Sequence, residues 1–162
     1  MSLVKIGVIS DSHFTGPSLH LKRAVDQYFN DTDLILHAGD IITPDVLDAF
    51  GDKPFHAVSG NWDRPEIRSN FPDKKVIEIN DFKIGLIHGW GSPFGIDKRV
   101  ATQFNDADCI IFGHSHWTFN QKKDGVLYFN PGTFRGDLFS LWKKTIGILS
   151  VDDEIKGEII RL

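Results

Sequence analysis

The amino-acid sequence predicts an α/β fold of two packed sheets, and three observations predict it. Apolar, β-branched runs recur at fairly regular intervals along the 162 residues. Several are continuous rather than alternating, as in Leu34-Ile35-Leu36 and Cys109-Ile110-Ile111-Phe112, which suits strands covered on both faces. Helix-period segments separate the early runs, whereas hairpin signals follow Gly113. So βαβα units come first and antiparallel strands after them.

Val4–Ser10 reads as the first strand. Ser18–Phe29 follows as a helix, with Leu21, Ala24, Val25 and Tyr28 on one stripe and Ser18 as its N-cap. Leu34–Ala38 is the next strand. Thr43-Pro44-Asp45 then opens a short helix running to Phe50, because proline suits the first helical position. Phe55–Ser59, Val76–Ile79 and Lys83–His88 read as strands, Ile96–Phe104 as a third helix, and Cys109–Gly113 as a further strand. Thr118–Lys122 and Val126–Asn130 flank Lys123-Asp124-Gly125, whose Asp-Gly step is a hairpin signal. Leu141–Val151 and Ile155–Leu162 flank the acidic turn Asp152-Asp153-Glu154. No repeat, low-complexity tract or linker interrupts the chain, so residues 1–162 read as one domain, long enough to bury a core without disulfides.

Composition excludes several function classes. With 18 Lys+Arg against 22 Asp+Glu the net charge is −4, so no extended nucleic-acid surface is expected. A charged fraction of 25% beside 12% aromatics excludes intrinsic disorder. The single Cys109 excludes a disulfide framework and any Cys-rich zinc site. No apolar run reaches the roughly 18 residues of a membrane helix, and no signal-peptide pattern is present. The chain is therefore expected to be cytoplasmic and without a membrane partner. Of the acids, 18 are Asp and 4 are Glu, a bias toward turns and metal sites.

The chemistry concentrates at strand ends. The strands run into Asp11-Ser12-His13, Gly39-Asp40, Gly60-Asn61-Trp62-Asp63, His88-Gly89 and Gly113-His114-Ser115-His116. Functional groups of α/β folds gather beyond the carboxyl ends of strands, so Asp11, Asp40, Asn61 and four His share a rim. Gly-His-x-His carries more weight than Asp-x-His, with about 0.03 against about 0.8 chance matches from this composition. Gly-Asp carries little, since it occurs at Gly39, Gly51 and Gly136.

The ordered set Asp11-x-His13, Gly39-Asp40, Gly60-Asn61-x-Asp63, His88 and Gly113-His114-x-His116 resembles the signature series of the calcineurin-like metallophosphoesterases. The resemblance runs from Val4 to Gly132, includes Asn130-Pro131-Gly132, and points to the compact phosphodiesterase branch. It implies a four-layer α-β-β-α sandwich of two mixed sheets flanked by helices. It also implies a two-metal site, with Asp11, His13, Asp40 and His116 on one ion and Asp40 (the bridge), Asn61, His88 and His114 on the other. Asp40, Asn61 and His88 are thereby implied as catalytic residues. Carboxylate, imidazole and amide donors suit Mn²⁺ first, with Fe, Zn²⁺ or Ni²⁺ as alternatives. Such a pair can supply a bridging hydroxide for attack on phosphorus. Two carboxylates, two divalent ions and a hydroxide leave a formal charge of about +1, which suits a small anionic phosphoester.

One position departs from the family pattern. Where the third motif commonly carries His, this chain has Trp62, whose indole N–H has no useful acidity. A preference for phosphodiesters, or for monoesters with good leaving groups, is expected. Around the motifs, Asp63 either orients a ligand or caps a loop. Arg64 and Arg135 either clamp a phosphate oxygen or pair at the surface. Trp90 and Phe94 either form an aromatic lip or pack on the rim. His37 reads as structural or as supporting a ligand, and His20 and His56 receive no role. The competing reading is a protein-interaction scaffold of the retromer-subunit type, similar in fold and size. The four retained motif histidines favour catalysis. A homo-oligomer is compatible with the sequence.

Overall fold

Three parallel strands begin the first sheet of the computed structural model, which describes residues 1–162. They are β1 (Val4–Ile9), β2 (Leu34–His37) and β3 (Phe55–Ala57), joined by antiparallel β9 (Thr145–Val151) and β10 (Ile155–Arg161) in the order β10-β9-β1-β2-β3. The second sheet contains β4 (Lys74–Ile79), β5 (Phe82–Ile87), β6 (Cys109–Ile111), β7 (Thr118–Lys123) and β8 (Val126–Pro131). Its order is β4-β5-β6-β8-β7, parallel in the middle and antiparallel at both edges. Both sheets are mixed, as expected, and each has five strands.

Three apolar layers explain the continuous runs. Ile6, Val8 and Leu36 of the first sheet meet Ile84, Ile111 and Phe129 of the second. On the outer face of the first sheet, Ile9, Ile35 and Ile146 pack under α1 (Leu19–Tyr28), a 3-10 helix (Pro44–Phe50) and α2 (Pro65–Asn70). On the outer face of the second, Ile110 and Phe112 pack under Ile96 and Val100 of α3 (Ile96–Ala101). Strand alternation sends neighbouring residues to different layers, and each layer is apolar. The result is the α-β-β-α sandwich. No helix is long and apolar enough to cross a membrane.

Local signals were read correctly where one residue decides them. Ser18 Oγ accepts the Leu21 N–H at 3.1 Å to cap α1, and Asp124 and Gly125 (φ 50° and 85°) form the two-residue hairpin turn. Other expectations need correction. Pro44–Phe50 is 3-10 rather than α. The third helix stops at Ala101. The strand expected from Leu141 begins at Thr145, because Leu141 and Trp142 have φ of 52° and 60°, outside any extended conformation. Helix α2 was not anticipated: it has six residues and buries only Ile67, too little for a periodic stripe. The late hairpin β9-β10 does not stay with the second sheet. It returns to pair with β1.

Candidate metal centre

The carboxyl ends of the parallel strands from both sheets face one crevice. Asp11 and His13 follow β1, Asp40 follows β2, Asn61 follows β3, His88 follows β5, and His114 and His116 follow β6. Five of these seven lie in the left-handed region: Asp11 (52°), His13 (51°), Asp40 (60°), His114 (64°) and His116 (60°). That conformation costs on the order of 1 kcal/mol or more per non-glycine residue, least for Asp, Asn and His. Such strain persists only where surrounding structure holds it, and it clusters at functional sites. Here it turns each chain back from its strand and aims the side chain into the crevice. Gly60 and Gly113 allow the loops to meet, since a Cβ at Gly60 would overlap Asp40 Oδ1 and one at Gly113 would stand 2.7 Å from Asp11 Oδ2.

Both buried carboxylates have one oxygen held and one oxygen aimed inward. Asp11 Oδ2 accepts from Ser10 Oγ (2.6 Å) and the His114 N–H (3.1 Å). Its Oδ1 is buried without a donor and faces His116 Nε2 at 3.1 Å and His13 Nε2 at 3.6 Å. Asp40 Oδ1 accepts the Trp62 backbone N–H at 2.8 Å. Its Oδ2 lies between His13 Nε2 (3.4 Å) and His88 Nε2 (3.3 Å).

The imidazoles are arranged the same way. His88 Nδ1–H donates to the Ala38 carbonyl at 2.7 Å and His114 Nε2–H to the Gly91 carbonyl at 2.9 Å. His116 Nδ1–H donates to Asp137. Each outer N–H determines the tautomer, so the inner nitrogen of the neutral ring carries a lone pair. Asn61 Oδ1 stands 2.9 Å from His88 Nε2 and 3.1 Å from His114 Nδ1. His13 Nε2 is also buried without a partner. Acceptors therefore face acceptors, an arrangement that calls for a cation. Asp11, His13 and His116 form one possible metal group, and Asp11, Asp40 and His88 a second.

The electrostatics of the cluster agree. Burial opposes a charge on Asp11, but His116 and His13 hold its carboxyl well below the usual range. Burial would also lower His88 and His116. The carboxylates instead raise both to about 9, Asp40 and Asp11 acting on the first and Asp11 and Asp137 on the second. A proton and a divalent ion would compete for these inward positions.

A model of the calcineurin-like phosphoesterase superfamily domain matches residues 4–154. The chain belongs to this superfamily. The chain is 36% identical over 159 residues to a probable metallophosphoesterase of Methanocaldococcus jannaschii, covering 96% of this chain and 80% of the relative. A solved structure described as a novel archaeal phosphodiesterase has a TM-score of 0.80 and 28% identity, covering 98% of this chain and 100% of that one. Vacuolar protein sorting 29 of Cryptosporidium parvum shares the fold, with a TM-score of 0.75 at 20% identity, over 99% of this chain and 98% of that one.

The remaining rim residues divide clearly. Asp63 braces the loops, its carboxylate accepting the N–H groups of Asp40 (3.1 Å), Ile42 (2.6 Å) and Gly60 (2.7 Å). The Trp62 ring is exposed over His13, with centroids 6.2 Å apart. Arg135 is exposed beside His13 and His116. Arg64 is exposed at the start of α2, and the cavities beside the centre do not include it. Trp90 lines a 430 Å³ cavity behind Asn61 and His88, and Phe94 packs edge-on against Trp117. Neither ring lines the 250 Å³ cleft over Asp40 and His114.

His37 faces away from the inward donors. Its Nδ1 accepts the Gly39 N–H at 3.2 Å, and its Nε2–H donates to Ser12 Oγ at 3.0 Å. Burial pushes its pKa down to about 3, so it is a neutral brace beneath both loops.

Three contributors escaped the sequence reading. Asp137 was discounted as one of several Gly-Asp steps, yet its Oδ2 holds His116 and its Oδ1 accepts the Ser140 N–H at 3.0 Å. Arg68 donates to the carbonyls of Asp63 and Asn61, both at 2.9 Å. Arg99 donates to the carbonyls of Trp90, Ser92 and Phe94, fixing the loop whose Gly91 orients His114. Asn130, noted only within its tripeptide, donates to the Gly113 carbonyl at 2.9 Å and so anchors the His114 loop.

Proposed function

We propose that this phosphoesterase is a phosphodiesterase acting on small organic or nucleotide diesters, with two divalent ions in the crevice. The carrying observation is the inward convergence of Asp11 Oδ1, Asp40 Oδ2, Asn61 Oδ1 and four imidazole nitrogens, with few protein donors to meet them. Asp11, His13, Asp40 and His116 would hold one ion, and Asp40, Asn61, His88 and His114 the other. Asp40 would serve both ions, a role supported by Oδ2 lying 3.4 Å from His13 Nε2 and 3.3 Å from His88 Nε2. The sulfur-free donor set suits Mn²⁺ first, with Fe, Zn²⁺ or Ni²⁺ as alternatives. Such ions supply Lewis acidity, activating water for in-line attack and offsetting charge on the phosphoryl oxygens.

The substrate preference follows from the protons available. His88, His114 and His116 commit their outer N–H groups to Ala38, Gly91 and Asp137, and the Trp62 indole is too weak an acid. A departing alkoxide finds no proton at these positions. That arrangement favours diesters and monoesters whose leaving groups depart as anions.

Metal analysis combined with hydrolysis of bis(4-nitrophenyl) phosphate and 4-nitrophenyl phosphate, with and without Mn²⁺, tests the reading. Two ions per chain and Mn²⁺-dependent turnover are expected, with the diester faster. Neither metal nor turnover would move the chain to the scaffold reading, whose fold it shares with vacuolar protein sorting 29. A flat rate dependence on leaving-group pKa, with undiminished turnover of alkyl esters, would overturn the acid-free route.

A further inference from the structure

We propose that the cavity walled by Trp62, Phe139 and Trp142 is a subsite for a planar aromatic group, of nucleobase size, carried by the phosphodiester. This rests on the phosphodiesterase reading and extends it to one part of the substrate. The cavity measures about 420 Å³ and has His13 and His116 in its wall, within the size range of small-molecule sites. It adjoins the 250 Å³ cleft over Asp40, Asn61 and His114, with Trp62, His116 and Phe139 in the walls of both. A phosphoryl group at the centre would therefore have this cavity beside its ester groups.

The walls have the chemistry of a ring-binding site. Trp62, Phe139 and Trp142 are each about 70% exposed (68%, 70% and 71%), so their faces are open to a ligand. Aromatic faces bind bases by stacking, largely irrespective of base identity. Arg135 adds an exposed guanidinium on the same wall, able to stack on a ring or donate to its carbonyl oxygens.

The wall is also built onto the metal centre. Asp137 holds His116 through Oδ2 and the Ser140 N–H through Oδ1, and its own N–H donates to Ser140 Oγ at 2.9 Å. The Trp142 N–H donates back to the Asp137 carbonyl at 2.6 Å. One carboxylate thus ties a candidate metal-binding histidine to the turn presenting Phe139 and Trp142. A face meant only for a protein partner would need neither the concavity nor this tie. The nearby exposed side chains of Leu138 and Leu141 make self-association of the chain the competing occupant.

The experiment titrates the Mn²⁺-loaded full chain with 5′-AMP and with methyl phosphate, following tryptophan fluorescence and, independently, displacement of one ligand by the other. Wild type is expected to prefer 5′-AMP by about tenfold or more, the lower part of the range for base stacking. Trp142→Ala should collapse that preference to within about threefold, and Trp142→Phe should restore most of it. Equal affinity of the wild type for the two ligands overturns the subsite. So does a wild-type dimer that Trp142→Ala dissociates without changing the preference. Selective 5′-AMP binding without diester hydrolysis would keep the subsite and remove the phosphodiesterase reading. Diester hydrolysis without selectivity would do the reverse.

Discussion

The two halves of the centre are built differently. Around Asp11, His13 and His116, the donors lie close enough to serve one ion. Asp11 is fully buried, and His116 is braced by Asp137. Around Asp40 and His88, also buried, the remaining donors come from loops: Asn61 is exposed, and His114 is oriented by the Gly91 carbonyl of a loop that Arg99 holds. Each half has a trio close enough to serve one ion, Asp11-His13-His116 and Asp11-Asp40-His88. The second differs in that its further donors, Asn61 and His114, depend on two loops keeping their places. Metal affinity should follow this asymmetry, with the Asp11 side filling first.

The largest effect should come from the residue proposed to bridge the two halves. Asp40→Asn is expected to lower turnover of bis(4-nitrophenyl) phosphate by about 10³-fold. Near-normal kinetics in that variant would break the two-ion assignment. Next, Asn61→Ala should reduce activity by about 10²-fold and lower the bound metal from two ions to one. Loss of both ions by elemental analysis would show that the halves do not fill independently.

Asp137→Asn addresses the first half alone. Removing the charge behind a metal-binding histidine typically costs about 10- to 100-fold in metal affinity. That weakening should appear in the first step of a metal titration and not in the second. An unchanged first step would reduce Asp137 to holding the Ser140 turn.

The smallest effect concerns stability in acid. Burial holds the folded-state pKa of His37 near 3, below the ordinary histidine value of 6.5, so unfolding below pH 6.5 takes up a proton. Its contribution is present above pH 6.5 and is lost as pH falls toward 3, with a limiting slope of about 1.4 kcal/mol per pH unit. Denaturant unfolding in chelator should show a shallower acid limb for His37→Gln than for wild type. Parallel acid limbs would leave His37 without a titrating role.

Much of this architecture was legible along the chain. Continuous runs such as Cys109–Phe112 marked strands covered on both faces, and the donors at strand ends marked the crevice. What escaped depends on contacts distant in sequence. The return of β9 to β1 pairs Val151 with Val4, and no local pattern specifies that choice of sheet. Asp137 looked like any Gly-Asp step, because only the fold brings it to His116. Trp90 and Phe94 were attractive as a lip from their place after His88, yet the aromatic faces beside His13 and His116 come from Trp62, Phe139 and Trp142.

By itself, the sequence determined the donor types, their order and their placement after strands, because periodicity and turn chemistry act over a few neighbouring residues. Tertiary structure decided which oxygen of each carboxylate is held by protein, which nitrogen of each imidazole faces inward, and which aromatic rings stand beside them. Those outcomes depend on partners far apart in the chain, as in the His114 N–H on Asp11, 103 residues away. A hydrogen bond on the far side of a ligand orients it only after folding has brought its partner there.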